Sequence, residues 1–260
     1  MIQRRVYEAS AFVLSSIDYG ESDRIVTLFT DHYGKIRGIA KGARRSRRRF
    51  ANAIELFSHC RILFSRKNRD GLCLLENSDV IDHYAGIREH LGKTMAAAYM
   101  IELTDRFAVE GKRSRKVFRL LQDFFTFLEG QRYCEECLRF FELRLMQLSG
   151  YDPVLRECVC CNTPLDDMEA PCFCAADGGV LCRKCSHRRA DTIPVSVGTL
   201  KLLSMSKEMD MEKINRLILS RKSAQESRAI LESFIRFTLG RELQSARILR
   251  EIEQLTNRRD

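Results

Sequence analysis

Four cysteines constrain this chain more than any other feature. Cys158 and Cys161 form one C-x2-C pair, Cys182 and Cys185 another, and twenty residues lie between the pairs. Two such pairs at this distance are the pattern of a structural zinc site. Each short turn points two thiolates inward, and four thiolates complete a tetrahedron. Four protein ligands leave no open position for water, so an ion held this way folds the segment and does not catalyse. The stretch 156–190 holds seven of the eleven cysteines. It has little helical periodicity and few apolar residues, so a metal is what would hold it together. Gly178-Gly179 suits a tight turn ahead of the second pair.

Cys160, Cys172 and Cys174 are surplus, and His187 is close. A different ligand subset, with Cys160 or Cys174 replacing one of the four, therefore stays open. Arg183, Lys184, Arg188 and Arg189 crowd the second pair. They either bind phosphate or offset the charge of a four-thiolate site, and the second is the simpler reading. Cys134 and Cys137 are also spaced C-x2-C, but both fall on the apolar stripe of a helix, where cysteine acts as a small hydrophobe.

Eleven cysteines would mean disulfides in a secreted chain. Here Arg4 and Arg5 are followed by Glu8, and the longest apolar run, Met95 to Ile101, falls far short of a membrane span. The expected location is the cytoplasm, where clustered cysteines bind metal rather than pair.

Around the cysteine segment the hydrophobic period changes once. Val6 to Ile17, Arg24 to Thr30, Lys35 to Lys41, Ile54 to Ser65 and Gly71 to Asp79 are rich in β-branched and aromatic residues, with glycines at the turns. Five short strands in so small a span predict a closed barrel without exposed edges. From about residue 83 apolar residues recur at three and four: Val117, Leu120, Leu121, Phe124, Phe125 and Leu128, then Cys134, Cys137, Leu138, Phe141, Leu145 and Leu148. Gly150 and Pro153 end that helix, and helices resume at Ser196. Ser223 and Glu226 form a capping box opening a long helix, which Gly240 bends or breaks. The fold class is α+β: residues 1–80 a five-stranded barrel, residues 81–260 a helical domain carrying a zinc-binding segment at about 156–190.

Lys35, Arg37, Lys41, Arg44, Arg45, Arg47, Arg48 and Arg49 put eight cations in fifteen residues with no acid among them. The run leaves a strand and enters a loop, where a barrel rim follows a phosphate backbone. Phe29, Tyr33, Phe50 and Phe57 are available to stack bases. The formal net charge of +9 agrees with a polyanionic partner. Nothing specifies a base sequence, so binding should be largely sequence-independent.

Catalysis finds no support. Gly86 to Thr94 imitates a phosphate-binding loop but has five residues between its glycines, where the motif needs four. The histidines are scattered, no carboxylate cluster suggests a catalytic cation, and neither H-E-x-x-H nor G-x-S-x-G occurs.

Ala11-Phe-Val-Leu14, Tyr19-Gly-Glu-Ser-Asp23, Thr27-Leu-Phe-Thr30, Gly34-Lys35 and Ala40-Lys-Gly-Ala-Arg44 resemble the start of the RecO family of bacterial recombination mediators. Phe141 to Leu145 and Leu148 to Pro153 are similar to that family's central helix. Phe173, Gly178-Gly179 and the two cysteine pairs resemble its zinc segment. The resemblance spreads over nearly the whole chain and is weak after residue 200; the surplus cysteines are a departure from it. It implies an OB-fold barrel, a helical domain and a zinc module. It also implies a non-enzymatic role in DNA repair and recombination, with nucleoid association. The chain would bind and anneal single- and double-stranded DNA, partner RecR and the acidic tail of single-stranded-DNA-binding protein, and help load the recombinase.

For such a tail, cations beside an apolar pocket are needed. Lys112, Arg113, Arg115, Lys116 and Arg119 cluster at the start of one helix, with Arg132, Arg139 and Arg144 on or beside the next and Leu and Phe residues among them. The alternative functions are a zinc-ribbon-containing nucleic-acid enzyme or DNA-binding regulator using the same basic barrel, and a zinc-stabilised scaffold that binds protein only.

Overall fold

The computed structural model describes residues 5–46, 48–66, 71–130, 136–214, 217 and 219–256. Five strands, β1 (Arg5–Tyr19), β2 (Asp23–Thr30), β3 (Gly34–Ala40), β4 (His59–Arg66) and β5 (Cys73–Asp82), close a barrel in the order β1-β2-β3-β5-β4. All pairs are antiparallel except β3 with β5. That order makes the barrel OB-fold-like.

The period of two explains the barrel's interior. Ala9, Ala11 and Val13 of β1 point inward with Val26 and Leu28 of β2, Ile36 and Ala40 of β3, Cys60, Ile62 and Phe64 of β4, and Cys73 and Leu75 of β5. Ala9 stands opposite Ile62, Ala11 opposite Cys60 and Val13 opposite Leu28, so inward-facing residues of β1 meet inward-facing residues of both its neighbours. β1 serves two neighbours, and an irregularity between Val13 and Ser15 marks where it turns from one to the other. Gly38 allows the β3–β5 seam to close: a Cβ there would meet Cys73 Sγ and a Leu75 carbon at 2.9 Å.

Residues 50–57 are turns, not the first half of a strand. Phe50, Ala53 and Ile54 are buried in the barrel core. They plug it, and a plug carries the same apolar density as a strand. Asn52 and Phe57 take positive φ angles that a strand would not allow.

The chain divides into two compact units, 1–131 and 132–260. The barrel ends at Asp82, but the first unit continues through α1 (Ala85–Arg88), α2 (Leu91–Phe107) and α3 (Arg115–Gly130). This compact unit runs on past the barrel for a physical reason. β1 has a second apolar row, and Phe12 on it is fully buried, its ring centroid 5.3 Å from Phe118 and 5.4 Å from Phe125 of α3.

The second unit contains α4 (Glu136–Ser149), β6 (Cys172–Cys174), β7 (Gly179–Leu181), α5 (Arg183–Ser186), β8 (Thr192–Pro194), α6 (Val197–Ser206), α7 (Met211–Ile214), α8 (Arg221–Leu239) and α9 (Gln244–Thr256). The three short strands form one sheet in the order β7-β6-β8. Phe173 of β6, fully buried, packs edge-on against Phe234 of α8 at 5.8 Å. α8 opens at Ser220, whose side chain accepts from the Ser223 amide, three residues before the expected cap. Glu226 instead serves α6. It accepts from the Ser196 amide, the Ser196 hydroxyl and the Thr199 hydroxyl at 3.1, 2.6 and 2.5 Å. Gly240 ends α8 as a left-handed cap with φ of 67°.

Candidate metal centre and nucleic-acid surface

The cysteine segment builds its centre from two turns. In the first, the Cys158 amide donates to the Thr163 carbonyl and the Asn162 amide to the Cys158 carbonyl, closing a loop that carries Cys158 and Cys161. The Val159 amide donates to Val180 O, pinning this loop to β7. In the second, Gly178 turns the chain with φ of 74°, β7 follows, and α5 places Cys182 and Cys185 one turn apart.

The result is convergence. The Sγ atoms of Cys158, Cys161, Cys182 and Cys185 all lie within 4.8 Å of one another, and these four could hold a metal ion. Cys161 and Cys182 Sγ are 3.6 Å apart, and the Cys182 amide points at Cys158 Sγ at 3.4 Å. The electrostatics agree. Hydrogen bonds from Thr163 bring the Cys161 thiol down to about 6. Its sulfur neighbours, Cys161 first, push Cys185 up. Four thiols this close cannot all release their protons unless a cation sits among them. Among the described residues no other group of three or more metal-capable side chains converges in this way. Cys160 is exposed, Cys172 half-buried and Cys174 buried, and none of them joins the four. Cys137 is buried on α4; Cys134 lies outside the described residues. Arg189 pairs with Asp177 at 2.7 Å, while Arg183, Lys184 and Arg188 are exposed.

The basic run divides by role. Lys35 is committed internally, with its ammonium 3.4 Å from the Asp105 carboxylate and donating to the Asp105 carbonyl at 2.7 Å. Arg44 pairs with Asp18 and donates to Glu21 O. Arg49 lies over the Phe50 ring at 5.2 Å and donates to Lys41 O, so it shapes the loop. Arg37, Lys41, Arg45 and Arg48 are exposed and make no ion pair among the described residues. Arg47 lies outside them.

The expected stacking aromatics are not on this surface. Phe29, Phe50 and Phe57 are buried, Phe29 against Phe118 and Phe57 against Phe125. Only Tyr33 of the four is half-exposed, within a cluster of Tyr7, Phe64 and Arg66. Sequence reasoning missed that cluster, because alternation along a strand does not show which rings line the core and which line its rim.

The cations expected to meet a partner also separate. Lys112, Arg113, Arg115, Lys116 and Arg119 are all exposed at the start of α3, and Arg115 lies 3.2 Å from His32. The apolar stripe of α3, from Val117 to Leu128, is buried, so it offers no apolar half of a peptide site beside them. Arg139 is buried and pairs with buried Glu142 at 2.7 Å; Arg144 donates to Ser206 O. Both are used inside the second unit, and Arg132 lies outside the described residues.

Gly86 to Thr94 is no phosphate cradle. The Gly86 and Ile87 amides donate to the Glu129 carboxylate, Lys93 donates to Glu129 O, and Thr94 donates to Ile87 O. These four donors are already spent within the fold. No helix among the described residues is long and apolar enough to cross a membrane.

Two family models match the chain. One described as Recombination protein O N terminal covers residues 2–84, and one described as Recombination protein O C terminal covers residues 88–247. Curated relatives match over nearly their full length. The DNA repair protein RecO of Syntrophus aciditrophicus is 42% identical, over 98% of this chain and 99% of its own. Those of Geobacter metallireducens and Desulfatibacillum aliphaticivorans are 37% and 36% identical, each over 94% of this chain and 96% of its own.

Proposed function

The chain belongs to the RecO family of DNA repair proteins, and from that premise we propose that it is a non-enzymatic recombination mediator. It binds single- and double-stranded DNA, anneals complementary strands and helps load the recombinase onto strands coated with single-stranded-DNA-binding protein. One observation carries this reading: Arg37, Lys41, Arg45 and Arg48 stand exposed and unpaired by any described acid along one strand and its loop. Cations without internal partners are free to displace counterions from a phosphate backbone, and such contacts carry no base information.

Zinc is the metal we assign to the four converging cysteines, because a closed set of thiolates suits a structural zinc ion. When bound it supplies folding energy and no reaction chemistry. Cys158, Cys161, Cys182 and Cys185 would hold it. RecR and the acidic tail of the strand-coating protein are the protein partners, with Lys112, Arg113, Arg115, Lys116 and Arg119 offering the charge for the latter. The place of action is the nucleoid in the cytoplasm.

The test is annealing of complementary strands coated with single-stranded-DNA-binding protein, which the chain should accelerate without consuming ATP. Turnover of ATP or cleavage of labelled DNA would move the chain to the enzyme class. In the same assay Arg37→Ala, Arg45→Ala and Arg48→Ala together should flatten the plot of log affinity against log salt. The expected reduction is up to roughly 0.7 per lost single-strand contact. An unchanged slope would place the DNA surface elsewhere.

A further inference from the structure

β1 is longer than the closure of the barrel requires. It pairs with β4 from Arg5 to Phe12 and with β2 from Ala11 to Tyr19. From Ser15 onward it therefore has a strand on one side only. Two other unpaired stretches of the barrel are covered. The first half of β3 has no β5 neighbour, but Lys35 forms a parallel bridge with Glu110, and the Gly111 amide donates to Lys35 O at 2.9 Å. On β5 the Ser78 amide donates to Arg49 O at 2.8 Å. Among the described residues no such bond reaches the free side of 15–19.

Free edges are usually blunted by lysine, by proline or by a bulge that turns them away. Residues 15–19, Ser-Ser-Ile-Asp-Tyr, contain neither lysine nor proline. The irregularity in β1 lies before them, between Val13 and Ser15. Their one charge, Asp18, is already paired with Arg24 at 3.1 Å and Arg44 at 3.5 Å. Ile17 and Tyr19 share the outer face of the strand and are 56% and 55% exposed. Ile17 also ends an apolar row across the outside of the barrel. It stands opposite Ile25, Ile25 opposite Ile39, and Ile39 opposite Leu74. The other three are half-buried, so the row is most exposed where it meets the free edge.

We propose that this edge takes the same edge of a second copy of the chain, in an antiparallel pairing centred on Ile17. The strand is complementary to itself. About a twofold axis at Ile17, that residue meets its own counterpart, and Ser15 meets the second copy's Tyr19 on the same face. On the other face Ser16 meets the second copy's Asp18. The Ser16 hydroxyl is buried without a partner among the described residues, and a carboxylate accepts the proton it offers. The apolar row then runs unbroken from Leu74 of one copy to Leu74 of the other. Five residues a side fall short of the roughly 20–30 of a standard interface, so the dimer is weak and forms by mass action. Its consequence rests on the DNA-binding reading. Arg37 lies in the neighbouring row, opposite Thr27, and the twofold sets both copies' Arg37 on one side of the joined sheet. Two DNA strands held alike there run antiparallel, the polarity that complementary strands need in order to pair.

The experiment is sedimentation of the full chain over a concentration series, where we expect a monomer–dimer equilibrium. Ile17→Lys should weaken the dimer more than about tenfold, because two apolar side chains lose their contact and two like charges meet. Its melting curve should match wild type, since the site is exposed. Ile17→Cys and Tyr19→Cys test the register under mild oxidation, read as linked peptides by mass spectrometry. Residue 17 should link to residue 17, whereas residue 19 should not link to residue 19, which the twofold sets well apart. Ile17→Lys should bind labelled oligo-dT as wild type does and anneal bare complementary strands more slowly. A wild-type chain that stays monomeric up to millimolar concentration overturns the proposal, as does a dimer that Ile17→Lys leaves intact. Links at residue 19 without links at residue 17 overturn the register. Equal annealing by both proteins would detach the dimer from annealing. A dimer broken by Ile17→Lys in a chain that binds no oligo-dT would keep the edge and sink the DNA reading instead.

Discussion

The barrel and the cysteine segment hold themselves together by opposite means. The barrel's stability is spread over a continuous apolar core drawn from all five strands and the 50–54 plug, so no single residue carries it. In the cysteine segment each strand has three residues, and the centre is four sulfurs. It buries apolar side chains as well, Leu155, Leu165, Met168, Val180, Leu181 and Val195 besides Phe173, which packs against Phe234, but these surround the four sulfurs in sequence and are not drawn from long strands. The difference teaches where each region is vulnerable. A distributed core yields gradually to substitution, whereas a single ion is present or absent.

Losing the zinc proposed for the four cysteines should therefore have the largest effect. Structural zinc contributes on the order of 10 kcal/mol in small zinc domains, comparable with the ~5–15 kcal/mol that stabilises a whole domain. Chelation, or Cys158→Ser, should abolish hydrogen-exchange protection across 154–195 while the barrel strands stay protected. Replacing Cys160, Cys172 and Cys174 together by Ser should leave one metal per chain. If barrel protection vanished along with the segment, the two regions would not be independently stabilised.

The converse experiment removes one large piece of apolar packing outside the barrel lumen. Phe12 is fully buried, stacked on His59 at 4.7 Å and against Phe118 and Phe125. Phe12→Ala should cost about 3–5 kcal/mol. Denaturant unfolding followed by a barrel probe would show it, and metal content should not change. A fall in bound metal in a folded Phe12→Ala protein would contradict the contrast.

What was legible in the sequence follows the same division. The cluster of four cysteines could be read because its chemistry is local: two pairs, each within one turn, need no knowledge of tertiary structure. All five strands could be read because alternation survives in one dimension, although the fourth was expected to begin at Ile54 and begins at His59. The plug around Ile54 could not be, since apolar density alone does not separate a strand from a buried turn. Phe29, Phe50 and Phe57 were expected at a DNA surface and lie inside, because an aromatic residue's face is decided by its neighbours across the sheet. Arg139 looked like a surface cation, yet it pairs with Glu142 in the core of the second unit. Spacing shows that a charge lies on a helix, and only packing shows which side is covered.

Glu226 sharpens that lesson into a measurement of intermediate size. Three residues after Ser223 it imitates a cap for its own helix, but its carboxylate receives three hydrogen bonds from Ser196 and Thr199 at the start of α6. Glu226→Ala should cost roughly 1.5–3 kcal/mol, the range for hydrogen bonds to a charged group. The loss should appear as faster amide exchange at the start of α6, not at the start of α8. Fraying of α8 instead would restore the capping box.

The smallest effect is expected from mild acid, and it should fall on the barrel before it reaches the helices. His59 is buried, and its Nε2 lies 2.7 Å from Ser10 Oγ. Burial lowers its pKa below the ordinary 6.5, against the opposing pull of the Asp82 and Asp31 carboxylates. A folded-state value below the unfolded one means the unfolded chain takes up the proton first. The contribution of His59 is therefore complete above about pH 6.5 and is lost as pH falls toward the folded-state value. Glu226 has the same sign at lower pH. Burial pushes it up, but hydrogen bonds from Ser196 and Thr199, with Lys222 nearby, outweigh burial and leave it below 4.5. Its contribution holds above the ordinary carboxylate range and fades beneath it. Between neutral pH and pH 5.5, barrel amides should lose protection while those at the start of α6 keep theirs. His59→Gln, which cannot titrate, should flatten the barrel's response over that interval. A barrel that weakens equally in wild type and variant would assign the acid response to other groups.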